Sequence, residues 1–170
     1  MKKYLLLSLL VSTLQTNAWA QMLSNTKVIL SGNFSVPIGH LLTGDEILAS
    51  DQTYRRITGV YHEFNEQAMI YIRTTEDQTL VCDKNQVIQL ANQKLIQAKK
   101  VKAGQVLQGQ NGPLTVESTT FVFVSTDVSL LSLGPKVENV KDHLYFANGI
   151  SVGAYSLVRE WQYLPAEVKE

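Results

Sequence analysis

Cysteine is almost missing from this chain: Cys82 is the single thiol in 170 residues. A lone cysteine excludes an intramolecular disulfide, so apolar packing must hold the domain unaided. A surplus of positive charge is missing too, with 15 Lys and Arg against 15 Asp and Glu. That balance argues against nucleic acid as a partner, because phosphate binding draws on a basic excess. Beyond residue 20 no apolar run approaches the roughly 20 residues that a membrane-spanning helix needs. Helical periodicity, low-complexity linkers and a second composition regime are also lacking. These absences leave one compact domain of β character.

The first residues carry a different signal. Lys2 and Lys3 precede an apolar run from Leu5 to Val11, broken only by Ser8, and Ala18-Trp19-Ala20 supplies a small-x-small cleavage pattern. This predicts a cleavable signal peptide over residues 1–20, in bacterial style, and an exported product that is periplasmic or extracellular. No cysteine follows the apolar run, which argues against a lipid anchor. Removing Lys2 and Lys3 leaves 13 basic against 15 acidic side chains, a formal charge of −2 over residues 21–170. No membrane span is expected after signal removal.

Residues 21–156 read as one all-β domain. Lys27–Ser31, Glu46–Ser50, Arg56–Phe64, Ala68–Thr74, Gln86–Leu90 and Leu114–Thr126 are β-branched or aromatic runs between turn residues. The last is the longest, and its Phe121, Phe123 and Ser125 alternate against Val122, Val124 and Thr126 as a strand pleat requires. Ser31-Gly32-Asn33, Thr43-Gly44-Asp45, Asn111-Gly112-Pro113 and Asn148-Gly149 provide the turns. An internal echo crosses this pattern. "GHLLTGDEILAS" and "QAKKVKAGQVLQG" share a polar lead-in, a Gly, a polar residue and a strand, with Gly44 aligned on Gly104 and Ile47 on Leu107. Two β subdomains related by a pseudo-two-fold axis would produce it.

Three segments in order carry a family resemblance. "NTKVILSGNFSVPIGHLLTGDEILASD", then "TLVCDKNQVIQL" with "AKKVKAGQVL", then "HLYFANGISV" resemble the opening, middle and closing blocks of the Hint domain. That family comprises hedgehog autoprocessing domains, inteins and bacterial intein-like proteins. The resemblance implies a flattened all-β fold of two pseudo-symmetric halves. It also implies self-cutting chemistry: an opening Cys or Ser attacks the preceding carbonyl, a middle Thr and His polarise the bond and move the proton, and a closing His-Asn pair cyclises.

Against that pattern this chain departs at every titratable or nucleophilic role that aligns. The nucleophile is expected within residues 21–23, and Gln21, Met22 and Leu23 cannot attack a carbonyl. Cys82 falls at the middle Thr, and Gln86 at the middle His. Gly153 and Ala154 stand where His and Asn would close the reaction. Thr26, Cys82, Gln86, Gly153 and Ala154 are therefore expected to converge on a small, neutral, vestigial cleft, with backbone amides as its chief polar groups. Such a cleft suits main-chain hydrogen bonding to an extended peptide rather than proton transfer. No catalytic residue, metal or cofactor is assigned.

The remaining candidates are read as follows. Asp83 would raise the pKa of Cys82, so a buried, inert thiol is favoured over a nucleophile. His62-Glu63 lies in a strand-like run and lacks the second His of a zinc-protease helix. His40 and His143 sit beside turns and are expected to be exposed or capping. Lys94, Lys99, Lys100 and Lys102 read as a solvated β edge. In the tail, residues 157–170, Leu157, Trp161 and Leu164 form one apolar stripe if residues 156–163 are helical before Pro165, and the tail is expected to fold back on the domain. The function expected is a binding module for another protein or an extended peptide, without enzymatic activity. Two alternatives stay open: self-cleavage using Ser24 or Cys82, and a structural role in the cell envelope.

Overall fold

The computed structural model describes residues 20–170, so the expected signal segment lies, apart from Ala20, outside the described residues. Three antiparallel sheets make up the chain. The four-stranded first sheet, in the order β3-β2-β4-β5, is built from β2 (Lys27–Leu30), β3 (Phe34–Pro37), β4 (Glu46–Leu48) and β5 (Tyr54–Arg56). The second, β10-β9-β15-β14, uses β9 (Val87–Gln89), β10 (Leu95–Gln97), β14 (Leu144–Ala147) and β15 (Ile150–Gly153). The seven-stranded third sheet runs β11-β12-β7-β8-β1-β13-β6. Its members are β1 (Met22–Leu23), β6 (Gly59–Asn65), β7 (Ala68–Thr74), β8 (Thr79–Cys82), β11 (Val106–Gln108), β12 (Pro113–Phe123) and β13 (Thr126–Ser132). The all-β reading and the two-part architecture hold.

The internal echo is a structural repeat at an offset of 60 residues. Ile38 N–H donates to the Thr26 carbonyl at 2.7 Å, and Ala98 N–H donates to the Gln86 carbonyl at 2.8 Å. Each bond opens a 3-10 turn, Ile38–His40 in one half and Ala98–Lys100 in the other. Gly44 and Gly104 follow at φ +102 and +86, a backbone region that favours glycine. Gly44 N–H then bonds the Ile57 carbonyl, and Gly104 N–H the Val116 carbonyl. Ile47 and Leu107 finish each unit with no exposed surface.

Two expected strands are divided. Leu114–Thr126 is interrupted rather than ended: β12 stops at Phe123 and β13 begins at Thr126, and the pairings Phe123–Ala68 and Thr126–Asn65 carry one register across Val124 and Ser125. Asn65, opposite Thr126, bonds into that gap, its Nδ2 donating to the carbonyls of Gln67 and Val124 at 3.1 and 3.3 Å. Arg56–Phe64 breaks at Ile57 and Thr58, because Ile57 is claimed by the Gly44–Asp45 turn, its N–H donating to Asp45 at 2.8 Å.

One core lies between the sheets and includes Met22, Ile47, Ile72, Leu80, Ile88, Leu107, Tyr145 and Ile150. A second joins Ala20, Val87, Leu95 and Leu144 to Leu157, Val158 and Leu164 of the tail. The tail thus packs on the domain, as α1 (Tyr155–Arg159) followed by 3-10 turns at Trp161–Tyr163 and Ala166–Val168. The single helix expected over residues 156–163 stops earlier, at Arg159, and Leu164 is extended ahead of Pro165. The last residue joins the sheet edge: Glu170 N–H bonds the Leu95 carbonyl at 2.9 Å.

Candidate functional site

β1 runs between β8 and β13, with Met22 facing Cys82 on one side and Ser129 on the other. Asp83 N–H donates to the Gln21 carbonyl at 2.8 Å, which ties the entrance of the domain to the middle block. Met22 and Cys82 are fully buried. Burial, with the neighbouring Asp83 carboxylate, pushes the Cys82 thiol far above its ordinary range, so thiolate is excluded near neutral pH. Burial and the adjacent Cys82 likewise push up the Tyr145 phenol.

Gln86 closes the centre. Its Nε2 donates to the carbonyl of Gly153 at 2.7 Å and to that of Val87 at 3.0 Å. Both amide hydrogens are thereby used, and Oε1 is left buried without a partner. A side chain at Gly153 would be crowded: an added Cβ would sit 3.0 Å from the Val87 Cβ and 3.2 Å from the Leu157 Cβ. Ala154 turns the exit strand into α1, its N–H donating to His143 and its carbonyl accepting from Leu157. Thr26 is held in the equivalent place in the other half, its carbonyl receiving Ile38 N–H.

The structure therefore joins Gln86 to Gly153 directly and sets Cys82 against Met22. It places Thr26, Cys82, Gln86 and Ala154 at no more than 2 % exposure. Of these groups, Cys82 and Ala154 belong to the main core. Space open to solvent lies elsewhere. A groove of about 540 Å³ runs between the turn at Glu76–Thr79, the loop at Gln110–Leu114, β2 and the Asn148–Gly149 turn. Phe146, Ile29 and Leu114 supply its apolar surface, and Lys27, Glu76 and Asn111 its polar surface.

Two hydrogen-bonded groups escaped the sequence reading. His143 is neither exposed nor a cap: it is 4 % exposed, and its Nδ1 lies 2.7 Å from Ser156 Oγ. Burial holds its pKa down, against the Asp142 carboxylate, the Lys136 backbone and Glu160. The second group is a chain of three side chains. Ser24 Oγ meets Ser129 Oγ at 2.8 Å, and Ser129 Oγ meets His62 Nδ1 at 2.9 Å. A cavity of about 400 Å³ opens beside it, lined also by His40 and Asp127. No local pattern reveals this chain, because Ser129 and His62 meet only through the β13–β6 register. Glu63, on the next residue of β6, instead accepts Gln21 Nε2 at 2.6 Å. Among the described residues no three metal-ligating side chains gather.

With the geometry in view, similarity to solved structures can be stated. The bacterial intein-like domain from Clostridium thermocellum superimposes with a TM-score of 0.67 at 14% identity, over 79% of this chain and 98% of that one. The gp41-1 intein gives 0.66 at 13% identity over 79% and 98%, and the VidaL intein 0.65 at 20% over 80% and 97%. No family model matches the sequence, and no curated protein does. The chain has a Hint-type, intein-like fold, spanning nearly the whole of each of those domains.

Proposed function

We propose that this chain is a Hint-like domain that no longer cuts itself and serves, after export, as a binding module for an extended polypeptide. One observation carries the reading: the buried Gln86 amide grips the Gly153 carbonyl at 2.7 Å, where the family resemblance places a proton-shuttling histidine. A carboxamide orients a carbonyl but exchanges no proton near neutral pH. The crowding at Gly153 and the buried Cys82 thiol support the same conclusion. With the centre filled, recognition falls to the open groove, whose apolar and polar surfaces suit an extended chain with alternating side chains.

The test is an intact mass of the full chain carrying a tag after Glu170, followed by a displayed-peptide selection against the purified product. One species, uncut between Val152 and Tyr155, is expected. Leu114→Asp in the groove should abolish binding of the selected peptides. A second cut at the exit defeats the claim of lost processing; peptides that bind Leu114→Asp as well as the parent defeat the groove.

A second reading has an observation of its own. The Ser24–Ser129–His62 chain offers a hydroxyl within relay of an imidazole, as self-cleavage by Ser24 would need. A cut near residue 24 that disappears in Ser24→Ala would establish it.

A further inference from the structure

Asparagine followed by glycine occurs twice in this chain, at Asn111-Gly112 and Asn148-Gly149. Both pairs line the open groove, and Gln110 N–H donates to the Gly149 carbonyl at 2.8 Å, so the two turns touch. Glycine sets no side chain beside its own nitrogen, so that nitrogen can approach the Cγ of the asparagine before it. The fold holds the two pairs differently. Asn148 and Gly149, at φ +48 and +78, form the two-residue loop of the β14–β15 hairpin. The Asn148 amide is bound at both ends: Oδ1 accepts from Lys27 N–H at 2.6 Å, and Nδ2 donates to the Thr79 carbonyl at 2.9 Å. Its main-chain N–H is engaged as well, on the Lys27 carbonyl at 2.7 Å. Asn111 is exposed, and among the described residues no hydrogen bond reaches its side chain or the Gly112 N–H.

We propose that Asn111 is a modification site, losing its amide spontaneously by ring closure with Gly112, whereas Asn148 is protected. The Gly112 nitrogen attacks Asn111 Cγ. A C–N bond forms as the Cγ–Nδ2 bond breaks, and ammonia leaves with the proton of the Gly112 N–H. Water then opens the succinimide ring at either carbonyl, giving aspartate or isoaspartate at position 111 with the chain uncut. Ring closure needs the nitrogen within about 3.5 Å of Cγ and aligned with it. Asn111 reaches that geometry by rotating an unbound side chain in an exposed loop. Asn148 must first release Lys27 and Thr79 and distort the hairpin that its loop closes. The consequence falls on the groove, and for this part the inference rests on the binding reading. A new carboxylate at residue 111 joins Glu76 and Asp77, and Lys27 is the one cation among the described residues that line the groove. Recognition should therefore move toward peptides carrying lysine or arginine.

The full chain, held folded at mildly alkaline pH and then digested for peptide mass mapping, should show an acid in place of the amide at residue 111. Asn148 should react roughly tenfold or more slowly, since two hydrogen bonds must break before its ring can close. In denaturant the two pairs should react at similar rates, which separates protection by the fold from the sequence around each pair. Asn111→Gln should stop the change at residue 111. Equal rates in the folded chain, or a faster Asn148, would overturn the proposal. The mapping needs no ligand, so its result is independent of whether the groove binds peptides. Among peptides selected on the parent, Asn111→Asp should bind the lysine- and arginine-bearing ones more tightly than the parent does; equal affinity would overturn the charge consequence while leaving the modification itself standing.

Discussion

Replacing Gln86 with leucine removes the clamp while nearly preserving the volume of the side chain. Two buried carbonyls, of Gly153 and Val87, lose their shared donor. A buried group left unsatisfied costs about 1–3 kcal/mol, and the same substitution removes the unpaired Oε1, which returns a similar amount. The net expectation is a loss of about 1–3 kcal/mol, each kcal/mol lowering Tm by about 2–4 °C in a chain of this size. Urea unfolding followed by circular dichroism would read it as a lower midpoint with an unchanged slope. Gln86→Glu separates the clamp from packing. To keep donating to Gly153 its carboxyl must stay protonated, and burial raises its folded pKa above the unfolded value of about 4.3. The variant should hold its full stability below that value and lose it as pH rises toward the folded pKa, at about 1.4 kcal/mol per unit. A leucine variant as stable as the parent, or a glutamate variant with the parent's pH profile, would refute the clamp.

Three further outcomes follow from buried groups. His143 is held below its ordinary pKa by burial, so the stability it protects is present above the unfolded value, about 6.5, and is lost as pH falls from there through the folded pKa. His143→Gln should flatten that acid loss, read as the unfolding midpoint between neutral and mildly acid pH; an unchanged slope would place the acid sensitivity elsewhere. Cys82 should resist thiol reagents until the chain unfolds, and Cys82→Ala should cost about 1 kcal/mol without altering processing; rapid labelling of the native protein would contradict its burial. Gly153→Ala should cost about 1–3 kcal/mol by overpacking against Val87 and Leu157, measured by thermal unfolding, and a neutral result would show that the exit strand can yield.

Legibility in the sequence followed the range of each interaction. Short-range patterns read well: Ala68–Thr74 was delimited to the residue, and the paired Gly44 and Gly104 turns revealed the repeat. What failed depended on partners distant along the chain. The break at Val124–Ser125 has no breaker residue of its own, and the side chain that bonds there, Asn65, comes from the facing strand β6. His143 was misplaced because its partner Ser156 lies across the closing hairpin, beyond any spacing rule. At the centre, Gln86 and Gly153 could be paired only through the family resemblance. The resemblance said which positions should meet but not that they would be packed shut, since the closeness of Val87 and Leu157 to Gly153 is a matter of three-dimensional fit.

The repeat explains how the positions around residue 86 keep their shape whatever side chains they carry. Thr26 and Gln86 are equivalent positions, and each delivers its carbonyl to the first N–H of a 3-10 turn. Those bonds come from the main chain, so the placement of both residues does not depend on their side chains. A reactive side chain could be exchanged at either position while the turn, the glycine after it and the buried Ile47 or Leu107 remained in place. What glutamine supplies at residue 86 is a side-chain bridge to the exit strand, between Gln86 and Gly153. The Gln86 amide thus ties the middle block to the final strand, next to the point where the tail returns through Leu157 to seal the second core.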